Sequence, residues 1–177
     1  MALERPSKTY EGLMQKALTL IAKRRYTTMK LKQKLREFHK KQTDLENLPF
    51  LSKPELEEAL KSVATRLKEL KYLNDSEYAK AFVHDRIEFR PKGKFMLKRE
   101  LKHKGIHPDL AEQTVEEEDI NEPEIALKVL TQRAKRLQNE TPSKQREKLF
   151  RFLSSRGFSV DSIYKAMDAW YNRSELG

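Results

Sequence analysis

Apolar residues recur at three- and four-residue spacing along nearly the whole chain, broken at intervals by caps, prolines and glycines. That pattern predicts nine helices and gives no support for strands. Leu13, Ala17, Leu20 and Ile21 mark a first helix ending near Arg24 and Arg25. Thr27 or Thr28 can cap a second, carrying Leu31, Leu35 and Phe38. A loop-like stretch over 42–51 leads to Ser52, which with Glu55 spells a capping box for a third helix through Leu56, Leu60, Val63, Leu67 and Leu70. Asn74-Asp75 offers the next cap, with Tyr78, Ala81, Phe82 and Ile87 as the apolar face behind it. After Pro91-Lys92-Gly93 come Met96, Leu97 and Leu101, and after Pro108 come Leu110, Ala111 and Val115. Pro123 opens a seventh helix with Ile125, Ala126, Val129, Leu130 and Leu137. Thr141-Pro142 opens the eighth, with Leu149 and Leu153, and Ser159 caps the ninth, with Ile163, Ala166, Met167 and Trp170.

The helices fall into triplets. Leu97, Leu101, Lys104, Gly105, Ile106 and Asp109 are matched 52 residues later by Leu149, Leu153, Arg156, Gly157, Phe158 and Asp161, an internal repeat with a glycine ending the middle helix. The predicted units are 1–73, including an N-terminal extension, 74–120 and 121–177. The first fits less cleanly, because His39 stands where the others have glycine and the 42–52 segment is extra. Each unit is too short to bury much alone, so the expected fold is all-α: three tandem three-helix repeats forming an elongated, curved array.

Charge changes the picture. The chain of 177 residues carries 37 Lys and Arg against 27 Asp and Glu, a formal charge of +10, which favours a polyanionic partner; a solvated basic surface is the ordinary alternative. The positive charge sits in blocks. Lys23–Lys41 holds nine basic residues against Glu37 alone, Arg86–Lys104 holds eight against two acids, and Lys128–Arg156 holds nine against two. His107–Glu124 reverses the sign, with eight acids and no Lys or Arg. Lys94, Lys98 and Lys102 share one helical face, as do Lys32, Arg36 and Lys40, with Lys144, Lys148 and Arg151 close to that spacing. Like charges so placed repel by roughly 0.2–0.5 kcal/mol per pair, a cost that a polyanion or an acidic protein surface would offset.

Other chemistry is poorly supported. Cysteine is absent, so disulfides and thiolate metal sites are excluded. His103 and His107 are separated by Gly105 and lack a third ligand, so capping or surface roles outweigh metal binding. Arg-Pro-Lys-Gly-Lys-Phe (90–95) lacks the spacing of a phosphate loop and reads as a helix start. The run Glu116–Asp119 is sequential rather than on one face, against a nuclease site. Trp170-Tyr171 could stack on bases, although core packing is the usual fate of such a pair. No signal-peptide core or membrane-length apolar run is seen, so a cytoplasmic protein without cofactor or membrane partner is expected.

Residues 17–35 (A-L-T-L-I-A-K-R-R-Y-T-T-M-K-L-K-Q-K-L), 72–87 (Y-L-N-D-S-E-Y-A-K-A-F-V-H-D-R-I) and 97–106 (L-K-R-E-L-K-H-K-G-I) together resemble the RecX family, regulators of the RecA recombinase. The likeness runs from about residue 10 to 172, and its most specific part is the middle motif, which places Asp75 as a cap. The resemblance implies a non-enzymatic protein that lies in the groove of the RecA–DNA filament and restrains strand exchange, ATP hydrolysis and coprotease activity. It carries over no catalytic residue. A free-standing helical nucleic-acid-binding protein is the alternative. The expected partners are the RecA nucleoprotein filament and, more weakly, single- or double-stranded DNA, with the chain a monomer. The candidate contacts are Arg24, Arg25, Lys32, Arg36, Lys94, Lys98, Arg99, Lys102, Arg146 and Arg151.

Overall fold

The structure is a computed structural model that describes residues 8–45 and 47–174. The reading of the extreme N-terminus and of Glu46 lies outside the described residues. Among the described residues there are nine helices and no strand: α1 (Lys8–Ile21), α2 (Thr28–Asp44), α3 (Lys53–Glu69), α4 (Asp75–Phe89), α5 (Lys94–His103), α6 (Pro108–Glu117), α7 (Glu122–Ala134), α8 (Pro142–Ser155) and α9 (Val160–Ser174). None is long and apolar enough to cross a membrane.

Capping follows the sequence closely. The Thr27 hydroxyl accepts from the Lys30 N–H, Ser52 and Glu55 form the capping box of α3, and Ser159 caps α9 at the Ser162 N–H. Gly105 and Gly157 take left-handed backbone angles, φ +88° and +79°, and stop α5 and α8. His39 cannot take that role without strain. It is buried inside α2, which runs on to Asp44, so the missing glycine lengthens the helix.

Four expectations need correction. Asn74, not Asp75, caps α4: its side-chain oxygen accepts from the Ser76 and Glu77 N–H groups. The buried line of α4 is Ala79 and Val83 rather than Tyr78, Ala81, Phe82 and Ile87. Apolar and charged residues are mixed around this helix without one clear stripe, so spacing alone fits more than one register. Leu70, beyond the end of α3, is 44% exposed. Leu137 is buried, but from the turn after α7 rather than from the helix.

The chain folds into two compact units, and their boundary lies within α4. One comprises the residues up to Tyr78 with Lys104–Ile106, and the other Ala79–His103 with the chain from His107 onward. In the first, α1, α2 and α3 close around Leu13, Leu31, Leu35, Leu60, Val63 and Leu67. In the second, α7, α8 and α9 close around Leu130, Leu149, Leu153, Ile163 and Met167, with Trp170 and Tyr171 packed against that core and edge-on to each other at 4.9 Å. The core reading of that aromatic pair is the correct one.

Each unit contains the same kind of joint, an acid at the start of one helix capping the start of another. In the first unit the Asp75 carboxylate accepts from the Thr28 N–H at 2.7 Å, the Thr27 hydroxyl donates to the Lys104 carbonyl at 2.7 Å, and Met29 lies over Gly105. In the second, Glu122 accepts from the Lys94 N–H at 2.8 Å and from both Ser159 and Ser162, the Gly93 N–H donates to the Arg156 carbonyl at 3.1 Å, and Met96 lies over Gly157. Glu122 is only 8% exposed. Burial pushes its carboxyl upward, but the hydrogen bonds from Ser159, Ser162 and the Lys94 and Ser159 backbone win, holding it below the usual carboxylate range.

Candidate nucleic-acid interface

The basic stripe of α5 does not face solvent as a row of free charges. Helix α6, rich in acids, packs beside α5: Glu116 accepts from Lys98 at 2.6 Å and from Lys94 at 3.1 Å, and Glu112 accepts from Lys98 as well. Hence the abrupt change of sign along 100–118 is explained within the second unit. The acidic surface that offsets the lysine repulsion is the chain's own next helix. The Lys98 side chain is 18% exposed. Burial pulls its ammonium down, but the hydrogen bonds to Glu112 and Glu116 outweigh it and leave the group above the ordinary lysine value. Glu116 is correspondingly held low by Lys98 and Lys94.

Lys98→Glu is therefore expected to destabilise the second unit by about 1–3 kcal/mol, because it sets three carboxylates together where two charge-assisted hydrogen bonds stood. Lys102→Glu, at an exposed position without an ion pair among the described residues, is expected to stay within about 0.5 kcal/mol of the parent. Urea unfolding followed by helix signal checks both. Equal midpoints for the two variants would show that the α5–α6 pairing carries no weight.

The other sequence candidates divide in the same way. Arg36 forms a two-pronged pair with Glu57 on α3, at 2.6 and 2.8 Å, and Lys32 adds to the field on that carboxylate. Arg151 is paired with Glu147 one turn away. Arg99, Lys102 and Arg146 are exposed and form no ion pair among the described residues. Arg24 lies over the Tyr26 ring, 4.8 Å from its centroid, and donates to its hydroxyl. Arg24 and Arg25 meet Lys30, Lys34 and Lys104 around a hollow of about 310 Å³ that also touches Tyr26 and Tyr78. Among the described residues no acid lines it.

A second concentration of positive charge lay outside the sequence candidates. Arg90, Lys92, Arg133, Arg136 and Arg156 line a cleft of about 610 Å³ in the second unit, with Phe89, Phe152, Gln132 and Ser155, and among the described residues no carboxylate lines it. Arg133 and Arg156 both lie over the Phe152 ring, 5.1 and 4.7 Å from its centroid, and Arg156 also donates to the Pro91 carbonyl. Lys92 is held by Glu100, which also accepts from Arg86 at 2.7 Å. These cations come from the ends of α4, α7 and α8 and the 90–92 turn. They share no helical face, so periodicity could not group them; the only trace in the sequence is the Arg-Pro-Lys-Gly start of α5.

The arrangement offers positive charge with little internal neutralisation at two places, the Arg24 hollow and the Arg90–Arg156 cleft, whereas a hollow of about 320 Å³ beside Arg146, Phe150 and Tyr164 also takes in the Glu147–Arg151 pair. Anion binding is the chemistry this permits. Among known proteins, residues 74–115 match the second three-helix domain of RecX and residues 121–167 match its third three-helix domain, together about half of the chain. The regulatory protein RecX of Bacillus pumilus is 32% identical over 128 residues, 71% of this chain and 49% of that protein. The RecX protein of Streptococcus sanguinis is 30% identical over 129 residues, 72% and 49% respectively. This chain thus spans about half the length of the curated relatives it matches. A crystal structure of RecX from Lactobacillus salivarius superposes with a TM-score of 0.74 at 22% identity, covering 91% of this chain and 96% of that one, so the two share a fold. With two of the family's three-helix domains matched in order, on helices that end and cap as their sequences require, the chain belongs to the RecX family.

Proposed function

We propose that this protein regulates the RecA recombinase, chiefly as an inhibitor, by lying in the groove of the RecA–DNA filament and restraining strand exchange, ATP hydrolysis and coprotease activity. Membership of the RecX family supports this reading, and the observation that carries it is the set of carboxylate-free basic hollows, present in both compact units. Several weak contacts on one chain bind a repetitive polymer far better than any does alone, because each engagement raises the effective concentration of the next. The sequence triplets 1–73, 74–120 and 121–177 are the natural units of such repeated contact. Within them Arg24, Arg25, Arg99, Lys102 and Arg146 are the sequence candidates with charge to spare. Lys94, Lys98, Arg36 and Arg151 are committed to internal partners.

Titration into RecA hydrolysing ATP on single-stranded DNA tests the reading. Inhibition is expected at ratios well below one molecule per RecA subunit. Unchanged hydrolysis at equimolar protein, with tight binding to DNA alone, would instead favour a free-standing nucleic-acid binder.

A further inference from the structure

We propose that the cleft between Arg90, Arg133, Arg136 and Arg156 binds the phosphate backbone of a single-stranded nucleic acid, with a base laid against the exposed ring of Phe89. The inference deepens the filament reading by assigning where this chain would hold the strand.

Charge supplies the first reason. Several cations elsewhere in the second unit are drawn to carboxylates, as Lys94 and Lys98 are to α6. In this cleft four arginines converge without one. An aromatic ring and a backbone carbonyl hold two of them in place, so the guanidinium groups are positioned while their charge stays uncompensated. Hydrogen bonding supplies the second. The Nε of Arg133 is buried and has no acceptor in the protein, so no protein acceptor at that atom competes with a phosphate for this cleft-lining guanidinium. Phe89 supplies the third. Its ring lines the cleft beside Arg90 and is 75% exposed, so a base can lie flat on it.

The volume, about 610 Å³, suits one nucleotide unit or two. A single strand can turn a base onto Phe89, whereas a duplex keeps its bases stacked inside. The lining has only Gln132 and Ser155 as neutral polar side chains, too few to recognise a free nucleotide by its sugar and base. The positive charge is better matched to consecutive phosphates.

Fluorescence anisotropy of a labelled oligothymidylate with the full chain, in the absence of RecA, reads the site. The pair Arg90→Glu and Arg136→Glu, both exposed and without ion pairs among the described residues, is expected to weaken binding tenfold or more and to lower the salt slope by about two. Phe89→Ala is expected to weaken it roughly five- to tenfold, while leaving a duplex of equal phosphate count unaffected. The exposed pair Lys53→Glu and Lys68→Glu on α3, which lines neither this cleft nor the Arg24 hollow, is the matched control.

Wild-type affinity in the Arg90/Arg136 variant, with its circular dichroism unchanged, overturns the proposal. So does a loss no greater than in the control pair. Competition by ATP as effective as by the oligonucleotide at equal phosphate would move the ligand to a free nucleotide, and competition by polyglutamate at equal charge would move it to an acidic protein; either result overturns the strand assignment. Because RecA is absent from the assay, the two readings fail separately. Intact RecA inhibition in the Arg90/Arg136 variant refutes this site alone. Strand binding by a wild-type protein that leaves RecA unaffected refutes the filament reading alone.

Discussion

Glu122→Ala is expected to lower the stability of the second unit by about 2–4 kcal/mol, a fall of roughly 10–20 °C in its unfolding midpoint. One carboxylate accepts from the Lys94 N–H at the start of α5, from the Ser159 N–H and hydroxyl, and from the Ser162 hydroxyl at the start of α9. Removing it orphans donors on two helices at once, and each buried donor without a partner costs about 1–3 kcal/mol. Glu122→Gln keeps the volume but turns one acceptor oxygen into a donor, so a partial loss is expected. The pH dependence follows from the depressed folded pKa. The carboxylate's contribution is present above the unfolded value of about 4.3 and disappears as pH falls through the lower folded value. The gap between the parent and Glu122→Gln should therefore be constant from pH 7 to 5 and close below about pH 4. A gap independent of pH down to 3 would show that charge at Glu122 contributes nothing.

Gly93→Ala is expected to cost at least about 2 kcal/mol, with the opposite sign from Gly12→Ala. A Cβ at Gly93 would stand 2.1 Å from the Gly157 carbonyl oxygen and 2.4 Å from the Phe158 Cα, both backbone atoms that cannot swing aside. The Gly93 hydrogen bond to the Arg156 carbonyl would stretch as the segments parted. At Gly12, in α1, a Cβ would meet only the Leu48 side chain at 3.5 Å, ordinary contact, so alanine should stabilise that helix by about 0.5–1 kcal/mol. Thermal unfolding of the two variants beside the parent decides it. Similar midpoints would mean that the close approach at Gly93 relaxes without cost.

Helix number and most helix ends were legible in the sequence because their causes are local. Ser52 with Glu55, Pro108, Pro123, Pro142, Gly105 and Gly157 each act within a few residues of chain. The α4 face was not legible, since its apolar and charged residues are mixed around the helix without one clear stripe, and such a helix takes its register from what packs on it. Asp75 and Glu122 were hidden for a related reason. Their chain positions look like ordinary helix-start acids, but their carboxylates act on α2 and on α5 and α9, tens of residues away.

The candidate site shows the same division. The basic blocks were countable in the chain, and the resemblance of three short motifs to the RecX family was visible before any fold. Which cations remain available depended on packing: α6 neutralises Lys94 and Lys98, and Glu57 takes Arg36. The cleft of Arg90, Arg133, Arg136 and Arg156 draws on helix ends and a turn that share no periodicity. By itself, then, the sequence determined the all-helical class, the order and punctuation of the helices and the overall sign of the charge, because those follow from composition and short-range hydrogen bonding. Only the tertiary structure decided which charges cancel and which converge, because Coulomb interactions and hydrogen bonds depend on distance through space, and folding sets that distance between residues far apart in the chain.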